Sequence, residues 1–219
     1  MFTGIIEAVG KLLSVEERSG GYRLTVDLSV LSEPGTPNPE PALPGDSIAV
    51  SGPCLTVAAL EGTRAAFDCV RETAARTTIP SWRAGRALNL ERSVPVGGRM
   101  GGHFVTGHVD GKSRVLGVRE AGEGLEIDFS TPAGCEMLVA AKGSVGLDGV
   151  SLTVARLLSE SSFRVALVPH TLGETTLSGL RAGDEVNFEA DVLARYAARL
   201  MGRDPGGLTE EKLREAGFI

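Results

Sequence analysis

Cysteine is scarce in this chain. Its three copies in 219 residues, Cys54, Cys69 and Cys135, are an odd number without CxxC spacing, so neither a disulfide framework nor a zinc site is signalled and reduced thiols are expected. Basic charge is not in excess either: Lys and Arg number 22 against 28 Asp and Glu, a net charge of −6, and no run of like charges stands out. That balance argues against nucleic acid and anionic membranes as partners. No stretch of about 18 uninterrupted apolar residues occurs, and Met1-Phe2-Thr3-Gly4 lacks the basic start and long apolar run of a signal peptide. A cytoplasmic protein is the expectation. With 42% hydrophobic and 23% charged residues, the composition is that of an ordinary globular protein. The length suits one large domain or two of about 100 residues.

An internal repeat decides between these. The opening TGIIE, Thr3 to Glu7, returns as TGHVD, Thr106 to Asp110. SGPCLTV from Ser51 returns as DGVSLTV from Asp148, and Glu72-Thr73, RAG (83–85) and NLE (89–91) return as His170-Thr171, RAG (181–183) and NFE (187–189). Ordered blocks at an offset of about 100 residues are too widely spaced for a solenoid and fit a duplicated domain.

Each half reads as strands. Leu24-Val26-Leu28, Ile48-Val50, Leu55-Val57, Leu125-Ile127-Phe129 and Val165-Leu167 alternate apolar with other residues, punctuated by Gly, Pro and Ser. Short strands with tight turns favour closed barrels over sheets with open edges. The proline-rich stretch 32–44 reads as a surface loop, and VPVGGRMGG (94–102) as a hinge between barrels, since it lacks the GK[ST] ending of a phosphate loop. Pro53 predicts extended backbone at Gly52. From Val192 the period changes: Val192, Leu193, Tyr196, Ala197, Leu200 and Met201 fall on one helical face, suited to an oligomer contact or to packing back on a barrel. Thr209-Glu210-Glu211 reads as a second helix start, with Gly217 near its end.

MFTGIIE, CLTV at Cys54, GGHFVTGHVDG (101–111), KGS at Lys142 and DGVSLTV at Asp148 together resemble the riboflavin synthase family, whose domain binds lumazines. The resemblance covers nearly the whole chain. It implies an all-β fold of two tandem similar six-stranded antiparallel β-barrels plus a C-terminal α-helix. The divisions would be 1–97 and 98–191 for the two lumazine-binding barrels and 192–219 for a helical trimerisation segment. It implies a homotrimer whose sites are shared between neighbouring subunits. It also implies a transferase reaction in which two molecules of 6,7-dimethyl-8-ribityllumazine dismutate, by transfer of a four-carbon unit, to riboflavin and 5-amino-6-(D-ribitylamino)uracil. No metal or organic cofactor is called for, because placing two ligands together can supply roughly 7–11 kcal/mol of barrier reduction. An association with lumazine synthase, which makes the substrate, stays open. The alternative is a non-catalytic lumazine- or flavin-binding protein of the same fold.

Residue by residue, the resemblance points to His108, Cys54, Ser151, Asp191 and Phe2 as the catalytic set. Around the ring and ribityl chain it expects Gly4, Ile5, Ile6, Leu55, Thr56, Glu72 and Thr73. It further expects Gly107, Val109, Lys142, Leu152, Thr153, Val168, Pro169, His170 and Thr171. The two halves differ where chemistry is at stake: Ile5 against His108, Cys54 against Ser151, Ser93 against Asp191. Histidine titrates near neutrality and suits proton transfer, while Cys54 and Ser151 can add to a ring carbon or line the pocket. Ser51, Pro53, Ala74-Ala75 and Thr78 depart from the family pattern, all in the first half.

Overall fold

The computed structural model describes residues 1–32, 41–202 and 214. In the first half, strands β1 (Ala8–Arg18), β2 (Gly21–Asp27), β3 (Ser47–Val50), β4 (Cys54–Glu61), β5 (Arg64–Val70) and β6 (Ala87–Arg92) close in the order β1-β2-β5-β4-β3-β6. In the second, β7 (Gly111–Ala121), β8 (Gly124–Ser130), β9 (Ser144–Leu147), β10 (Val150–Ser159), β11 (Ser162–Leu167) and β12 (Glu185–Ala190) close in the equivalent cyclic order. All neighbouring strands run antiparallel. The fold is the expected pair of all-β barrels.

Alternation fills the barrels. On β5, Ala65, Phe67 and Cys69 are buried while Arg64 and Asp68 face outward, the period-2 pattern of a half-buried strand. The first core joins Leu12, Leu24, Ile48, Leu55, Phe67 and Leu88, closed by Trp82, whose Nε1 donates to Thr78 Oγ1 at 2.9 Å. The second is built on Phe163, whose ring centroid lies 5.9 Å from that of Phe129 and 6.1 Å from that of Phe188. Each such side chain contributes roughly 1.5–3 kcal/mol on burial. Because side chains fill the interiors, ligands must bind at the barrel rims.

Short helices stand at those rims: α1 (Arg71–Arg76) after β5 and α2 (Pro169–Glu174) after β11. The sequence pattern gave no sign of either, since one and a half turns are too short to show a helical period. Residues 41–44 are irregular, in keeping with a loop, whereas 33–40 and the expected helix at Thr209 lie outside the described residues. Gly52 does not take ordinary extended geometry. It adopts φ +114°, a positive value that favours glycine.

Helix α3 (Val192–Leu200) begins at Asp191, whose carboxylate accepts from Leu193 N at 2.9 Å, a side-chain N-cap. Its alanine side packs on the second core through Ala194 and Ala198. Leu193, Tyr196, Leu200 and Met201 face outward, 61–88% exposed.

The barrels are stitched by a reciprocal pair of asparagines. Asn89 Nδ2 donates to Asp148 O at 2.9 Å and its Oδ1 accepts from Thr176 N at 2.9 Å. Asn187 does the converse, donating to Ser51 O at 2.6 Å and accepting from Thr78 N at 2.7 Å. All four bonds join one half to the other, and both asparagines are buried.

Candidate functional site

Each half opens with a Thr-Gly segment, and the two segments are exchanged. Ser151 N, on β10 of the second barrel, donates to Gly4 O at 2.8 Å, while Cys54 N, on β4 of the first, donates to Gly107 O at 2.9 Å. Glycine is required at both crossings. Gly4 and Gly107 have φ +75° and +78°, and a Cβ there would sit 2.6 Å from Ser151 Cβ or overlap Cys54 Cβ. The segments are anchored by buried carboxylates of their own barrels. Glu91 accepts from Thr3 N (2.7 Å), Thr3 Oγ1 (2.8 Å) and Gly4 N (2.9 Å), and Glu189 accepts from Thr106 N (2.7 Å), Thr106 Oγ1 (2.7 Å) and Gly107 N (3.0 Å). Burial pushes the Glu91 carboxyl up to about 7 and raises Glu189 as well, against the pull of these donors. The sequence showed NLE and NFE as repeated blocks without revealing this role.

The exchange assembles two candidate half-sites. At the first, Cys54, Glu72, Thr73, Gly107, His108 and Val109 line one open cleft of about 860 Å³, together with Arg195 and Tyr196 of α3. Cys54 and Thr73 are half-buried there, Leu55 is buried behind them, and Thr56 and His108 are exposed. Arg76 pairs with Glu72 at 2.6 Å, and Arg195 with Asp110 at 2.5 Å, which ties the helix to the crossing segment.

At the second half-site, Ser151, Leu152 and Thr153 follow one another on β10, with Gly4 laid across Ser151. Ile5 and Ile6 run on from that crossing into a separate, smaller cleft of about 380 Å³ walled by Glu91 and residues 93–95, which Ser151, Leu152 and Thr153 do not line. Val168, Pro169 and His170 stand exposed at the start of α2, with Thr171 half-buried. Lys142 occupies an exposed left-handed turn, φ +66°, its N–H donated to Val154 O at 2.8 Å, two residues before the Ser144 that pairs with Thr153.

Phe2 is fully buried against Ala49 and Val105, with Cys54 packed on the same cluster. Its backbone pairs with Val105, Phe2 N donating to Val105 O at 2.8 Å and Phe2 O accepting from Val105 N at 3.1 Å. The ring therefore lies behind Cys54 and supports it.

A residue the site assignment missed stands beside Ser151: His103 Nδ1 lies 2.7 Å from Ser151 Oγ. Burial lowers the pKa of this imidazole, while the Asp191 charge acts the other way. The signal for it was present in GGH (101–103), a histidine placed by two glycines that permit close approach. Cys69 and Cys135 are buried thiols pushed up to about 11, which leaves Cys54 as the half-buried cysteine at a rim. Among the described residues no cluster of three or more His, Cys, Asp or Glu is placed to hold a metal ion.

One rim cleft completed by a segment from the opposite half, and a matching crossing of Gly4 over Ser151 at the other barrel, define a duplicated β-barrel protein with equivalent rims. The lumazine-binding domain model matches residues 3–93 and again 106–191. Riboflavin synthase of Brucella abortus is 42% identical over 205 residues, covering 91% of this chain and 98% of its own. That of Photobacterium phosphoreum is 39% identical over 201 residues, covering 92% and 89%. Among solved structures, LumP complexed with riboflavin superposes with a TM-score of 0.75 at 24% identity, over 87% of this chain and 99% of that one. The chain belongs to the riboflavin synthase family of lumazine-binding-domain proteins.

Proposed function

We propose that this protein catalyses the dismutation of two 6,7-dimethyl-8-ribityllumazine molecules to riboflavin and 5-amino-6-(D-ribitylamino)uracil, a transferase reaction. The observation that carries the reading is that the half-sites are alike where they would bind and unlike where they would react. Thr56 and Thr153, and Thr73 and Thr171, occupy matched positions and exposures, as two copies of one ligand require. The reactive positions differ, Cys54 beneath the segment bearing His108 and Ser151 beneath the segment bearing Ile5. A methyl group of one lumazine must lose a proton while the other ring accepts a nucleophile, so the two pockets have different work to do. His108 is assigned to proton transfer, Cys54 and Ser151 to contact with the ring carbons, and Asp191 to orientation near the second half-site. Leu55 and Leu152 back the pockets, and Lys142, Glu72 and His170 serve the polar ends of the ligands. Phe2 acts from behind Cys54.

Residues 1–97 and 98–191 are the two binding domains on this reading, and 192–219 assembles a homotrimer through the exposed face of α3, bringing one subunit's first half-site against a neighbour's second. Three free cysteines suit a reducing cytoplasm. The test is incubation of the purified chain with the lumazine alone, without nucleotide or metal. Loss of two lumazines per riboflavin formed is the expected result. Tight binding without turnover would make the chain a carrier and direct attention to Ser51 and Pro53, at the turn leading into Cys54.

A further inference from the structure

Among the described residues, the second half-site contains a side-chain pair that the first does not. His103 Nδ1 and Ser151 Oγ are 2.7 Å apart, and the approach is built rather than incidental. His103 N donates to Thr3 O at 3.1 Å, which pins the segment to the strand-crossing residues. Gly102 lies so close that a Cβ there would overlap Thr3 O and come within 2.8 Å of both Ser151 Cβ and Oγ. Among the described residues Nε2 of the ring is buried without a hydrogen-bond partner, so Ser151 is the side chain that orients it. Asp191, which starts α3, bears on the imidazole by charge. At the equivalent strand position of the first barrel, Cys54 has no imidazole bonded to it among the described residues. His108 shares its cleft and is held by its backbone N–H, donated to Thr106 Oγ1 at 3.3 Å.

We infer that His103 is a positioning residue for the reaction, holding the Ser151 hydroxyl through Nδ1 in one orientation toward the ring bound at the second half-site. A serine hydroxyl alone rotates freely to suit any partner. Tied to a fixed ring nitrogen, its proton and lone pairs acquire set directions, and an oriented group stabilises developing charge without reorganising during the reaction. The ring beside Ser151 thus meets a directed hydroxyl, whereas the ring beside Cys54 meets an undirected thiol. This inference rests on the dismutation proposed above and adds the residue that makes the two pockets chemically unequal.

The test is a double-mutant cycle in the assembled full-length protein, with kcat and KM for the lumazine measured for wild type, His103→Ala, Ser151→Ala and the double variant. Loss of orientation should lower kcat of His103→Ala by about 10- to 100-fold with KM little changed. The double variant should be no slower than Ser151→Ala. His103→Asn, whose amide falls at the Nδ1 position, should recover most of the rate, and His103→Gln, whose amide falls at Nε2, should not. The Asn and Gln pair keep ring-like bulk and polarity, so the comparison stands if alanine unfolds the chain. Losses that multiply, a loss confined to KM, or equal rates for Asn and Gln overturn the inference while leaving the dismutation standing. A wild-type chain that converts no lumazine overturns the proposed function itself, and this assignment with it.

Discussion

Glu91 is a point where a change in one barrel should be felt at the other barrel's pocket. Its carboxyl is 3% exposed and takes three donors from Thr3 and Gly4 at 2.7–2.9 Å. Burial outweighs them and moves its pKa from 4.5 to about 7. The folded chain therefore keeps a proton that the unfolded chain releases near 4.5. The stability this group contributes is complete below that pH and is lost as pH rises through about 7. The interval is worth about 3 kcal/mol, or roughly 6–12 °C in Tm for a chain of this size. Glu91→Gln abolishes the titration. Its amide oxygen still accepts from Thr3, but its NH2 opposes Gly4 N–H at a pH-independent cost of about 1–3 kcal/mol. Melting curves recorded from about pH 4.5 to 8 should therefore show wild type ahead at low pH and the gap closing as pH rises. Asp148, raised to about 7 by burial, shares the sign and persists in the variant, so the difference between the curves reads Glu91. Lumazine titrations should show weaker binding beside Ser151, where the Thr3-Gly4 segment lies, and unchanged binding beside Cys54. Parallel melting curves over the whole range would refute the reasoning and mean that the three donors keep the carboxylate ionised.

Two further outcomes follow from the same geometry. Gly107→Ala must place a Cβ onto Cys54 at φ +78°; the strain alone costs about 1–2 kcal/mol, and calorimetry with lumazine titration should show lower Tm together with loss of the first half-site. Charging the outer face of α3 with Leu193→Lys and Leu200→Lys, both exposed where Ala198 is buried, should yield monomers of normal Tm and lost turnover by sedimentation and assay; an unchanged mass would remove the helix from the assembly.

Much of the architecture was legible because it is written in repetition. Alternation in segments such as Leu24–Leu28 marks strands locally, and a duplicated set of Thr-Gly, Leu-Thr-Val and Asn-x-Glu blocks marks two like domains. Long-range partnership was not legible. Nothing local to Thr3-Gly4 says that it rests on Ser151, about 150 residues away, rather than on its own half, nor that Asn89 and Asn187 satisfy backbone groups across the interface. Helices α1 and α2 were hidden by brevity. His103 was hidden for another reason: a histidine outside the repeated positions has no counterpart to contrast with, and contrast between the halves is what drew attention to His108.

The exchange of segments changes what that contrast means. His108 belongs to the second half by sequence but stands in the cleft of the first, beside Cys54, and His103 reaches Ser151 from the same stretch of chain. Residues 103–108 therefore serve both half-sites, and between the two histidines Val105 is locked by paired backbone bonds to the buried Phe2. Glu189 holds one end of the stretch through Thr106, and Thr3 O holds the other through His103 N. A stretch fixed at three points in six residues leaves little freedom to move one histidine without the other. On the proposed function, this one fixed stretch brings a histidine to each pocket and adds to the difference between Cys54 and Ser151 carried by the barrels' own strands. Such an arrangement lets two copies of a binding domain keep one strand order while their rims diverge.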